Sequence, residues 1–288
     1  MHHLLPPTLS GKNSEAYREE IRAYFHNSYN LFERLFDLFK DDTVFYRKSE
    51  PTRHPMIFYF GHTATFFINK LILAKVNIER INPKFESMFA IGVDEMSWDD
   101  LNSNHYQWPS VDAVRQYRQN VRQVVDELIT TLPLTLPITQ ESPWWIILMG
   151  IEHEGIHIET SSVLHRQMPL EFMKESVDFP MCEERGASPL NYLIEIPSRQ
   201  IVLGKQRDHH LYGWDNEYGE SSYEINSFKA AAFLTSNGEF MEFVQEGGYE
   251  KSQYWDEEGK KFLAIKKAKC PPFWTLQADG SYKYRTLS

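Results

Sequence analysis

Two histidines four residues apart, His153 and His157, lie in the segment Ile151-Glu-His-Glu-Gly-Ile-His-Ile-Glu-Thr160. Their spacing turns a helix by about 400°, so both rings leave the same face. Ile146, Met149, Thr160 and Leu164 share that face, and their mostly apolar character predicts that it points into a helical core. Two imidazoles in such a place cost free energy unless each has a partner, and one metal ion satisfies both. His62, inside the apolar stretch 56–76, offers a third ring, so His62, His153 and His157 are the candidate metal ligands. Three neutral imidazoles leave a divalent ion its full charge and open positions on one side. That suits zinc activating water and iron binding substrate beside dioxygen alike, and the spacing does not choose among Zn, Fe, Cu and Ni. Glu159, about 200° round the helix from His157, is expected outside the ligand set, as a flanking group behind it. No side chain is assigned a catalytic acid–base or nucleophilic role.

The same residues, His153-Glu154-Gly155-Ile156-His157, match H-E-x-x-H, in which Glu154 would be the general base of a zinc hydrolase. The extended form of that motif is missing, because His165 falls eight residues after His157 rather than six. The helix also follows other helices rather than a strand-rich half.

The elements that must position the rings are helices. Residues 14–40 place Ile21, Phe25, Phe32, Leu35, Phe36 and Phe39 on one helical face. Residues 56–76 form a second helix after Pro51 and Pro55. Ser110 caps a third, which buries Val111, Val114, Val121, Val125 and Leu128. Ser142 and Pro143 begin a fourth, running to about Met168. Four long helices in an up-down pattern predict a four-helix bundle, a fold that builds metal sites from side chains on facing helices. Between the second and third lies an acidic loop, Asp94, Glu95, Asp99 and Asp100, expected to be solvated. Beyond Pro180 the pattern becomes β-prone, with Tyr192-Leu-Ile-Glu-Ile-Pro and Gln200-Ile-Val-Leu-Gly, so an α+β chain is expected, with a boundary near 180–190.

The 288 residues carry a formal net charge of −10 without a run of Lys or Arg, which argues against nucleic acid or an anionic membrane as partner. The apolar run Pro143–Ile151 falls far short of the roughly 20 residues that cross a bilayer, and the N-terminus shows no basic start followed by an apolar segment. Cys182 and Cys270 are far apart, without Cys-x-x-Cys, which excludes a disulfide framework and favours a reducing, cytoplasmic setting.

Three stretches in order carry a resemblance: His54-Pro-Met-Ile-Phe-Tyr-Phe-Gly-His62, Asn82-Pro-Lys-Phe-Glu-Ser-Met-Phe, and Glu152-His-Glu-Gly-Ile-His-Ile-Glu159. They resemble the iron-dependent sulfoxide synthases of thiol-histidine biosynthesis, in particular the branch that forms 5-histidylcysteine sulfoxide on the way to ovothiol. The resemblance implies a DinB-like four-helix bundle over residues 1–185, with Fe(II) held by His62, His153 and His157. It implies a reaction in which dioxygen drives C–S bond formation between cysteine and the imidazole ring of histidine. Leu203-Gly-Lys, Gly213-Trp-Asp-Asn-Glu217 and Asn237-Gly-Glu-Phe-Met-Glu-Phe243 are similar to the opening of a formylglycine-generating-enzyme-like, C-type-lectin-related domain, here residues 190–288. Such domains run longer, so the later part, which in the family supplies substrate-binding groups including a tyrosine, is expected to be missing. A truncated, non-catalytic metal-binding paralogue is therefore the second expectation, and the zinc hydrolase the third. Gly155 replaces a residue that is commonly charged in the family and is expected to lie off the metal face.

Overall fold

The computed structural model describes residues 4–76, 78–90, 107–181 and 186–287. The acidic loop with Asp94, Glu95, Asp99 and Asp100 lies outside the described residues, as does Cys182. The chain divides into two compact units. The first comprises Met1–Pro180, Arg207–Asn216 and Leu287–Ser288; the second comprises Met181–Gln206 and Glu217–Thr286.

Among the described residues, the first unit is built on four long helices, α1 (Ser14–Phe36), α2 (Met56–Leu73), α4 (Val111–Thr131) and α5 (Pro143–Gln167), with a short α3 (Pro83–Met88). Their starts follow from local chemistry. The Asn13 side chain accepts from the amides of Glu15 and Ala16, Ser110 from that of Ala113 and Ser142 from that of Trp144, with Pro143 in the first turn. α4 and α5 each pack against both α1 and α2. Phe25, Phe32, Phe36, Phe60, Phe67 and Trp144 fill the space between them, all at most 4% exposed. Burying each such ring contributes roughly 1.5–3 kcal/mol. α2 is buried on most sides, including Phe58, Phe60, Phe67 and Ile68. By length and composition α2 could also cross a membrane, which the apolar run at Pro143–Ile151 did not suggest. In the structure most of its surface is buried within the protein.

Two expectations shift. α1 stops at Phe36 rather than at residue 40, because the backbone beyond it pairs elsewhere. Lys40 N donates to the Phe172 carbonyl at 3.0 Å, Lys174 N to the Leu38 carbonyl at 2.7 Å, and Phe39 bridges Met173. Leu38 and Phe39 stay buried outside the helix. On α4 the buried stripe is Val111, Val114, Tyr117, Arg118, Val121, Val125 and Ile129, so Ile129 takes the core position expected for Leu128.

Residues Arg207–Asn216 belong to the first unit. Leu9 N donates to the His210 carbonyl at 2.7 Å, and the rings of Trp145 and Tyr212 lie 4.9 Å apart.

Among the described residues, the second unit contains three two-stranded antiparallel sheets and two α-helices. β1 (Leu193–Ile196) pairs with β4 (Phe228–Ala231), β2 (Arg199–Leu203) with β3 (Ser221–Ile225), and β5 (Trp274–Leu276) with β6 (Tyr282–Tyr284). The helices are α6 (Asn237–Gln245), opened by a capping box between Ser236 and Glu239, and α7 (Glu257–Lys266). β1 and β2 fall on the two β-prone segments read from the sequence. Leu193, Val202, Leu203, Tyr223 and Phe228 are exposed on these strands.

Candidate metal centre

His62 comes from the second turn of α2; His153 and His157 come from successive turns of α5. The structure brings all three together. One ligand-capable atom of each lies within 4.8 Å of the others. The ring centroids are 4.7 Å apart for His62 and His157, 5.1 Å for His62 and His153, and 4.5 Å for His153 and His157.

Two glycines permit this approach. At Gly150 a Cβ would stand 2.1 Å from a ring carbon of Phe67, so the bare backbone of α5 lets α2 come close. At Gly61 a Cβ would stand 2.7 Å from the ring of Phe89. Phe89 closes α3, which is fixed by its neighbours. Asn82 caps its first turn, the Glu86 carboxylate accepts from the amides of Ile81 and Asn82, and Asn69 on α2 donates to the Glu86 carbonyl at 2.8 Å. The Phe89 carbonyl then lies 2.7 Å from Nδ1 of His62. A carbonyl can only accept, so the His62 proton sits on Nδ1 and its Nε2 keeps a free lone pair. This hydrogen bond to the far side of a ring is the arrangement that fixes metal-binding histidines.

Aromatic rings wall the cluster. Phe66 stacks on His153 at 3.7 Å and 7°, and Phe58 on His62 at 5.3 Å and 23°. Burial keeps the imidazoles neutral. It lowers the pKa of His62 against the pull of the Phe89 carbonyl. It lowers that of His153 well below the ordinary value, helped by His157, His62 and Lys70, and that of His157 to about 3, helped by His62. Nδ1 of His153 and Nδ1 of His157 are buried, with no hydrogen-bond partner among the described residues. Three neutral rings, two with orphaned buried nitrogens, fit a divalent transition metal of the kind imidazole prefers.

The surrounding burial departs from the expected stripe. His62 is 7% exposed, but His153 and His157 are half-buried, Ile146 and Met149 likewise, and Thr160 is exposed. The face of α5 that enters the core carries Trp144, Ile147, Leu148, Ile151, Glu154, Ser161, Leu164 and His165. The triad therefore stands at the rim of the bundle interior rather than in its centre. Glu159 is exposed, and its carboxylate bonds to neither histidine. Gly155 has nothing within 4 Å of where a Cβ would stand. His165 lies in the core, its Nδ1 2.8 Å from the Ser161 carbonyl and its ring stacked on Phe39 at 4.5 Å.

Glu154 would be the general base of a zinc hydrolase. It is fully buried, and its Oε1 accepts from Arg118 at 3.2 Å and from Thr63 at 3.3 Å. Burial raises its carboxyl to about 7 against the pull of Arg118. Its Oε1 is engaged by Arg118 and Thr63 on the core face of α5, away from the rim face of His153 and His157, and this placement speaks against a role as the base of a zinc hydrolase. Arg118 itself was missed by sequence reasoning. The available signal was an arginine at 118 inside the spacing 114, 118, 121, 125 of an otherwise apolar stripe.

The bundle agrees with the comparisons. A model of the DinB superfamily matches residues 24–161, so the bundle is a DinB-like domain. The chain is also homologous to proteins of ergothioneine biosynthesis. It is 25% identical over 215 residues to ergothioneine biosynthesis protein 1 of Neurospora crassa, covering 69% of this chain and 24% of that protein. It is 26% identical over 241 residues to ergothioneine biosynthesis protein 1 of Schizosaccharomyces pombe, covering 67% and 29%. To hercynine oxygenase of Mycolicibacterium smegmatis it is 23% identical over 246 residues, covering 84% and 54%. The chain thus spans between a quarter and about half of the length of these relatives.

Proposed function

We propose that the chain is part of a non-haem iron(II) sulfoxide synthase that uses dioxygen to join the sulfur of cysteine to the imidazole ring of histidine, as in ovothiol formation, in a reducing, cytoplasmic setting. The convergence of His62, His153 and His157 within 4.8 Å is the observation that carries the reading. Bound there, Fe(II) would supply a redox-active Lewis acid that activates dioxygen and holds a thiol as thiolate. The chain's own residues supply the rest. Three uncharged ligands leave the ion its full positive charge, which suits a thiolate substrate. The Phe89 carbonyl holds the His62 proton on Nδ1 and so leaves the Nε2 lone pair available, the atom that would hold the ion. Phe58 and Phe66 hold two of the rings by stacking and shield that side from water. The half-buried position of His153 and His157 leaves one side open to substrate. Residues 190–288 are read as the opening of a formylglycine-generating-enzyme-like domain.

A second reading takes hercynine, the trimethylated histidine, as the imidazole substrate; the relative named hercynine oxygenase favours it.

Anaerobic titration with Fe(II) is expected to saturate at about one ion per chain, and His153→Ala to abolish binding. Retention of binding by a His153→Ala, His157→Ala double variant would show the site to be misassigned. Oxygen uptake with cysteine plus either histidine or hercynine, followed by product mass, then separates the two substrates. Metal binding without oxygen uptake on either pair would support the non-catalytic alternative.

A further inference from the structure

Arg118 occupies a core position of α4, between Val114 and Val121, and its side chain is 0% exposed. A guanidinium in such a place is tolerated only with its donors satisfied, and the partners it finds span the bundle. Nη1 donates to the Phe60 carbonyl at 2.9 Å and to Thr63 Oγ1 at 2.8 Å, both on α2. Nη2 donates to Glu154 Oε1 on α5 at 3.2 Å. Nε lies 3.5 Å from Glu33 on α1, and the Tyr29 ring of the same helix is 4.4 Å from the guanidinium carbon. Thr63 also donates directly to Glu154 at 3.3 Å. Thr63 follows His62 in sequence, and Glu154 follows His153. The fork of Arg118 thus joins α2 to α5 one residue away from a candidate ligand on each.

We infer that Arg118 is a positioning residue for the metal centre: by holding Thr63 and Glu154 in one planar fork it sets the separation and rotation of α2 against α5, and with them the convergence of His62 on His153 and His157. The inference rests on the reading of the three histidines as a metal site. Ligand sets tolerate errors of only about 0.5 Å or 10–20°. Lysine would keep the charge beside Glu154, but it lacks the rigid fork that reaches a carbonyl, a hydroxyl and a carboxylate together.

The test uses Co(II) alone with the full chain, reading its dissociation constant and its visible d–d bands. Arg118→Lys is expected to weaken Co(II) binding by about tenfold to a hundredfold, as outer-shell changes do, and to shift the bands. Thr63→Val, nearly isosteric, is expected to give a smaller loss and a shift in the same direction. Val125→Ala, a buried change on α4, should lower the melting temperature without moving either readout. Unaltered affinity and bands in a folded Arg118→Lys protein overturn the inference. Losses in Val125→Ala as large as those in Arg118→Lys do the same, since the effect would then be general destabilisation. If Arg118→Lys does not fold, Thr63→Val decides, and wild-type binding by it overturns the proposal. Failure of the unaltered chain to bind Co(II) sinks the metal reading itself, and this inference with it.

Discussion

Helix α5 presents two faces of similar composition and different fate. Both carry histidine. On the core face, His165 gives its Nδ1 to the Ser161 carbonyl and stacks on Phe39, while Glu154 meets Arg118 and Thr63. On the rim face, the buried Nδ1 atoms of His153 and His157 have no partner among the described residues, while Glu159, further round the helix, is exposed. Burial depresses the pKa of all of these imidazoles, His165 to about 4 and His157 to about 3, so titration does not distinguish a structural histidine from a candidate ligand. What distinguishes them is convergence. His165 packs among phenylalanines, whereas His153 and His157 face a third imidazole from another helix.

The sharpest way to test the core face is to compare loss of its glutamate with loss of an exposed one on the same helix. Glu154→Ala leaves Arg118 buried without its carboxylate, a loss that costs about 3–5 kcal/mol in comparable sites. For a unit of this size that corresponds to a fall in melting temperature of roughly 10 °C. Glu159→Ala, at an exposed position, should stay within about 0.5 kcal/mol. Near-ultraviolet circular dichroism melts of the two variants check this. Equal melting temperatures would mean that the Arg118–Glu154 pair does not hold the core.

The glycines of the same helix give a smaller and two-signed comparison. Gly150→Ala sets a methyl group against Phe67 where the helices are closest. It should destabilise by about 1–3 kcal/mol through overpacking, and it should weaken metal binding, because α2 and α5 must move apart. Gly155→Ala meets nothing within 4 Å and should raise stability by up to about 1 kcal/mol from helix propensity alone. Metal affinity should not change in this variant. A stabilised Gly150→Ala protein would contradict the close approach of the two helices.

How much of this could be read from the chain alone depended on whether the cause was local. Ser110, Ser142 and Pro143 mark helix starts through bonds within a few residues, and the structure confirms them. The His-x-x-x-His spacing fixes two rings on one side of any helix. The end of α1 was not legible, because the pairing of Phe39 with Met173 is made by residues far away in sequence. Nor was the depth of the triad. The stripe through Ile146, Met149 and Leu164 looked as apolar as the true core stripe through Ile147, Ile151 and Leu164, and only packing against α1 and α2 decided which turned inward. Arg118 is the instructive omission. A charge inside an apolar stripe was visible, but its partners come from three other helices.

The smallest predicted effect tests whether burial, rather than pairing with arginine, separates the two kinds of carboxylate. Asp126 on α4 also meets an arginine: Arg22 of α1 donates to it at 2.7 and 3.0 Å, and His26 lies at 2.8 Å. Its pKa nevertheless moves opposite to that of Glu154. Glu154, without exposure, is pushed up by burial; Asp126, only half-buried, is pulled down chiefly by the Arg22 hydrogen bond and then by His26. A depressed carboxylate stabilises the fold fully above its unfolded value, near 3.9, and that stabilisation is lost as pH falls through the lower folded value. Asp126→Asn should therefore lower stability at neutral pH by about 0.2–1 kcal/mol, the range for solvent-screened pairs. The deficit should shrink as the pH drops below about 4. Urea midpoints at pH 7 and pH 3 measure it. A deficit that is the same at both pH values would assign the effect to packing around α1 and α4 rather than to the charge on Asp126.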